Sequence, residues 1–366
     1  MRRIDTKRHK AVGALAGAVD RLFNDTILQA RRAPQGSPEE SLTRLREFVA
    51  RWNQPQWFGD PDLFFGAAVL PHVQRQRVTL ARARVTGRVV EDLRFATSHR
   101  PHFGEVGQRF AQFEKNRSVH ARRILAGRHP ARTAIVLVHG YLGGTLGAEE
   151  FVWPLDAFRR AGVDVGLAVL PFHGPRNDRS LGRPPRWPGN DLTFALEGFR
   201  QTVADLRGLV TWLSVAERYA HVGMMGMSLG GFSTALLATV EPKLAFAVPF
   251  IPLASAADWV RDAGQLPGNA AQRAEIHQLL EEAHALISPM SRPLLVPRER
   301  CFVAVGERDA ITPKSHGARI AEHFDVPLEV FEGGHILQAG RAHAFRRLLG
   351  LIEQLNVATP DARREP

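Results

Sequence analysis

The chain has 366 residues, 44% of them hydrophobic, and a formal net charge of +11. That length allows one large domain or two ordinary ones, and the apolar content excludes a disordered chain. The positive charge invites a nucleic-acid reading, but the arginines are scattered, lysine stands only at Lys7, Lys10, Lys115, Lys243 and Lys314, and no basic stripe interleaves with aromatics, so no nucleic-acid partner is expected.

The basic start, residues 1–10, leads into a stretch that Asp20, Arg21 and Asp25 interrupt, so it does not read as a secretory signal. The longest apolar run, 244–257, contains Pro249 and Pro252 and falls short of the roughly 20 residues a transmembrane helix needs. A soluble, cytoplasmic protein is the expectation. The single cysteine, Cys301, lies in an apolar run and reads as a small buried side chain rather than a reactive thiol.

Helical spacing of apolar residues predicts helices over 12–30 and 41–52, the second introduced by Ser37, Pro38 and Glu40. Alternation around 81–85 and 89–95 predicts two strands joined by a turn at Gly87. Six short apolar runs follow, at 134–138, 163–170, 221–225, 246–249, 301–305 and 328–331, separated by helical segments at 155–161, 192–213, 230–240, 273–286, 317–324 and 342–355. This rhythm is that of a parallel sheet covered by helices. Residues 1–75 then form an N-terminal helical extension, 76–356 a main domain with a lid-like insertion at 254–297, and 357–366 a frayed tail.

In such a sheet the chemistry lies just past the carboxyl ends of the strands. After the run 221–225 comes Gly226-Met227-Ser228-Leu229-Gly230-Gly231 and then a helix, the pattern of a nucleophile elbow. The glycines allow backbones to approach closely, and the helix start favours negative charge developing near Ser228. A phosphate-binding loop is disfavoured because no lysine follows the glycines.

A serine hydroxyl needs a base, and the base needs a third group to hold its tautomer. Asp309 follows the fifth run and His335 the sixth, giving the order Ser, Asp, His on three separate loops. Glu307 and Glu332 are the alternative acids. The oxyanion donors are expected to be the N–H groups of Leu229 and of Tyr141 in His139-Gly140-Tyr141-Leu142-Gly143-Gly144, with His139 a structural support for that loop.

With these motifs in view, residues 76–356 resemble the α/β-hydrolase superfamily, and the His-Gly-Tyr loop looks like that of its esterase, deacetylase and prolyl-peptidase-like branches. The resemblance implies an α/β fold with a mostly parallel eight-stranded sheet flanked by helices, acyl-enzyme chemistry at Ser228, and no metal or organic cofactor. Two further features bear on substrate. His173 and Arg176, after the second run, are candidate substrate contacts, since a guanidinium suits an anionic group; a loop-bracing role competes with that reading. Trp259, Leu266, Leu279 and Leu280 in the insertion either line an acyl pocket or pack internally.

These observations predict a serine hydrolase that cleaves a small-molecule carboxylic ester through an acyl-enzyme intermediate. The alternatives are an amide or peptide hydrolase with the same triad, and a non-catalytic binding protein on this fold.

Overall fold

The computed structural model describes residues 15–21, 36–79, 89–102, 104–180 and 183–358. Nine strands form one sheet in the order β1-β2-β3-β5-β4-β6-β7-β8-β9. They are β1 Gln74–Arg77, β2 Val90–Ala96, β3 Ser118–Ile124, β4 Thr133–Val138, β5 Val163–Ala168, β6 His221–Met227, β7 Ala247–Phe250, β8 Val303–Gly306 and β9 Leu328–Phe331. The six strands from β5 to β9 are parallel neighbours, and β1, β2 and β3 join the β5 edge antiparallel.

All six predicted runs are strands, and β4 to β8 are almost entirely buried because helices cover both faces. One face packs on the helices Leu192–Thr211 and Leu229–Ala238, the other on Leu155–Arg160 and Ala342–Ala358. The sheet has nine strands, not eight. Its extra edge strand, β1, is polar and exposed. Of the predicted pair at 81–95, the second is β2; the first falls on 80–88, outside the described residues, and the observed partner of β2 lies earlier, at 74–77.

β3 went unread because its sequence carries two consecutive arginines, a poor apolar signal. Its register explains them. Arg122 lies opposite Asp92 and Arg123 opposite Glu91 across β2, and each guanidinium pairs with that carboxylate. Arg122 also reaches Glu150 at 2.6 Å, and Arg123 reaches Glu217. Buried cations are tolerated because each is paired and hydrogen-bonded.

The segment before the sheet is built onto it. Residues 15–21 are helical, while the rest of the predicted 12–30 helix lies outside the described residues. The helix Pro38–Trp52 starts with a capping box in which Ser37 accepts from the Glu40 N–H and Glu40 accepts from the Ser37 N–H. Its Leu42 and Leu45 pack against Leu266, Ile276 and Ala283 of the insertion. Leu279 and Leu280 join the same cluster, so these insertion leucines are used in packing rather than in an acyl pocket. No helix among the described residues is long and apolar enough to cross a membrane.

Candidate active site

Ser228 sits between β6 and the helix Leu229–Ala238 with φ 57° and ψ −114°, a backbone region costly for a residue with a Cβ. The turn is held by the Ser228 N–H, which donates to the Phe250 carbonyl at the end of β7 at 3.0 Å. The surrounding glycines are needed for clearance. A Cβ at Gly226 would lie 2.2 Å from the Gly230 carbonyl oxygen, one at Gly230 would lie 2.3 Å from that of Val138, and one at Gly231 would lie 2.5 Å from that of Phe250. The turn is thus wedged against β4 and β7, with Ser228 partly exposed.

The loop after β4 closes on the same point. A Cβ at Gly140 would lie 3.3 Å from the Ser228 Cβ. Tyr141, the next residue, is half-buried, and the Gly143 N–H donates to the Gly140 carbonyl to make the turn. Leu229 is the first residue of the helix, where N–H groups lack intrahelical acceptors. His139 is buried inside the loop: its Nε2 accepts from the Leu170 N–H at 3.0 Å and its Nδ1 lies 2.7 Å from the Gly140 carbonyl. Burial holds its pKa below the ordinary histidine value, so it stays neutral and able to accept. That is the supporting role expected of it.

On the other side, His335 Nδ1 lies 2.8 Å from Asp309 Oδ2, and both residues are buried. The Asp309 carboxylate is fixed by the N–H groups of Ile311 and Thr312 on Oδ1, at 2.9 and 2.7 Å. With Nδ1 donating to Asp309, Nε2 is left as the acceptor, an assignment that rests on the hydrogen-bond network. The alternative acids are elsewhere: Glu307 is exposed and pairs with Lys314 at 2.8 Å, and Glu332 is exposed.

Thr312, which the sequence reading did not single out, ties the two sides together. Its hydroxyl lies 3.1 Å from the Ile251 carbonyl at the end of β7, 3.1 Å from Asp309 Oδ2 and 3.0 Å from His335 Nδ1. Ser228 hangs from Phe250 and Thr312 from Ile251, so consecutive residues link the serine turn to the loops that carry Asp309 and His335. The side-chain bonds of His335 go to Asp309 and Thr312; among the described residues none joins it to Ser228 Oγ. Catalytic hydrogen bonds are often loose in the substrate-free state and tighten around substrate.

The substrate-contact reading of His173 and Arg176 fails here, and the competing loop-bracing one holds. Arg176 and His173 are fully buried. The Arg176 guanidinium donates to the carbonyls of Val169 and Asn116 at 3.0 Å and to Asp205 at 2.8 Å, so it braces the loop after β5 and has no face for an anionic substrate. His173 Nδ1 lies 2.8 Å from the Pro171 carbonyl, and its ring packs among His139, Tyr141 and Trp187. Sequence alone could not tell a clamp from a brace, because Asn116 and Asp205 lie 60 and 29 positions away.

Cys301 is buried, and burial pushes its thiol up to about 12, as suits an inert core residue. Among the described residues one group, Asp258, His277 and Glu281, brings metal-type ligand atoms within 4.8 Å of one another. There Arg261 pairs with Asp258 at 2.7 Å and Arg319 also bonds to it, so guanidinium groups already occupy the carboxylate.

Known proteins resemble this chain in sequence or in fold. A Mycobacterium tuberculosis protein, "Uncharacterized protein Rv2627c", is 31% identical over 330 residues, covering 86% of this chain and 76% of its own. The model of the X-Pro dipeptidyl-peptidase (S15) family matches residues 192–300. Two acetyl xylan esterases, from Paenibacillus sp. R4 and Thermoanaerobacterium sp. JW/SL YS485, superpose with a TM-score of 0.55, each covering 89% of this chain and 98% of its own, at 14% and 17% identity. The chain has the α/β-hydrolase fold and belongs to the family of the mycobacterial protein.

Proposed function

We propose that the protein is a serine hydrolase acting on carboxylic esters, with Ser228 as nucleophile, His335 as general base and Asp309 as the acid that orients it. The observation that carries this reading is the continuous bonding path from the strained Ser228 turn through Phe250, Ile251 and Thr312 to the Asp309–His335 pair.

In the proposed reaction His335 Nε2 takes the Ser228 proton as Oγ attacks the acyl carbon. The N–H groups of Leu229 and Tyr141 receive the oxyanion, and the proton passes to the departing alcohol. Water then repeats the sequence on the acyl-enzyme. Asp309 holds the imidazole in place and stabilises the imidazolium. The same machinery would cleave an amide, and the peptidase family match over 192–300, which includes Ser228 but not Asp309 or His335, keeps that second reading open.

Initial rates on p-nitrophenyl esters of two to twelve carbons, beside the matching p-nitroanilides, test both readings. Ester turnover abolished in Ser228→Ala supports the proposal. Turnover of the anilides alone moves the assignment to amides, and turnover of neither class by folded protein contradicts both.

A further inference from the structure

The acid and base loops are anchored by a residue far outside the main domain. Asp20, on the helical stretch 15–21, is fully buried. Its Oδ2 accepts from the backbone N–H of His335 at 2.5 Å and from that of Ala310 at 3.3 Å, and its Oδ1 accepts from the N–H of Ile336 at 2.9 Å. One carboxylate therefore holds the proposed base and the residue following the proposed acid. Gly334 leaves it room: a Cβ there would lie 2.3 Å from Asp20 Oδ2. Gly17, one turn earlier, is buried with its Cα side toward the Arg308 carbonyl, so the helix lies along the acid loop as well.

We infer that Asp20 is a positioning residue, and that the N-terminal helix is a clamp that sets the Asp309–His335 pair in register with Ser228. The inference rests on the proposed catalytic assignment for its effect on rate, but not for its effect on loop order. Of the three amides Asp20 holds, that of His335 is buried, and without its acceptor it must find another or move, because leaving it unpaired is costly. The loops that carry Asp309 and His335 would then shift together relative to the Ser228 turn, which is fixed independently by β4 and β7. Displacements of about 1 Å in such a constellation lower rates by roughly 100-fold.

The test compares full-length wild type, Asp20→Asn and Asp20→Ala. Turnover of p-nitrophenyl acetate is normalised to the folded fraction, and amide hydrogen exchange is followed at residues 310, 335 and 336. Asp20→Ala should lose about 30- to 100-fold in kcat with KM within about threefold. Asp20→Asn, which keeps one acceptor oxygen, should recover part of that loss, and exchange should quicken at the three amides while β6 stays protected. Unchanged kcat in both variants would overturn the clamp. If wild type itself turns over no substrate, the catalytic assignment fails on its own, and unchanged exchange in the variants would still overturn the clamp. If neither variant folds, wild type decides: protection at 335 and 336 equal to that of β9 supports the anchor, and exchange within seconds refutes it.

Discussion

The turn that carries Ser228 and the loops that carry Asp309 and His335 lie at the same edge of the sheet but are fixed by different means. The serine turn is a contiguous stretch, Gly226 to Gly231, whose shape follows from missing Cβ atoms and from one backbone bond to β7. The loops that carry Asp309 and His335 are joined by the Arg308 N–H to Gly333 carbonyl bond and held further by two side chains: Thr312, which touches Asp309, His335 and the Ile251 carbonyl, and Asp20, which is 315 positions from His335. Strain of about 1–3 kcal/mol is stored on the serine side. A polar network with little tolerance for loss stands on the other. The Ser228 turn is thus built into the scaffold, while the Asp309–His335 pair depends on elements added around it.

Removing the negative acceptor at the base is the severest way to break the second half. Asp309→Asn should lower kcat by about 10⁴-fold with the fold retained, because the histidine tautomer is no longer fixed; steady-state kinetics with a circular-dichroism control measures it, and a loss under tenfold would point to another acid. The first half breaks differently. Gly230→Ala forces a Cβ against the Val138 carbonyl and should cost about 2–4 kcal/mol in urea unfolding, a stability loss rather than a selective rate loss.

Thr312→Val sharpens the contrast by removing only the hydroxyl that joins the halves. About a tenfold fall in kcat is expected, equivalent to one hydrogen bond, with the melting temperature nearly unchanged.

The smallest effect concerns pH. Burial holds His139, His284 and His316 neutral in the folded protein, with pKa values below the ordinary 6.5. Below about pH 6.5 the unfolded chain takes up protons that the folded chain does not, so stability falls as pH drops. The urea midpoint should therefore be lower at about pH 5.5 than at about pH 7.5, and an equal or higher midpoint in acid would contradict this.

Much of this organisation was legible in the sequence. The six parallel strands announced themselves as apolar runs, and Gly226-Met227-Ser228-Leu229-Gly230 spelled out its own turn. What escaped had a common cause. β3 hid behind Arg122 and Arg123, whose partners lie on β2 and beyond. Arg176 could be read as a clamp or as a brace because Asp205, its partner, is on a later helix. Asp20 carried no local signal at all, since an aspartate near a chain start looks like any solvated residue until its acceptor oxygens are seen against His335 and Ile336. Local patterns report backbone shape and burial, whereas pairing between distant polar groups is decided by the fold. Thr312 is the intermediate case: its N–H caps Asp309 three residues earlier, a spacing that is readable, but its contact with His335 is not.

The central claim is that Ser228 is an activated nucleophile. Incubating wild-type protein and Ser228→Ala with a fluorophosphonate, then locating the adduct by mass spectrometry of the peptide that contains residue 228, tests it most directly. The account predicts one phosphonyl group per chain, on Ser228, and none on the variant. A folded wild-type protein that takes up no label, or labels equally well without Ser228, would contradict it.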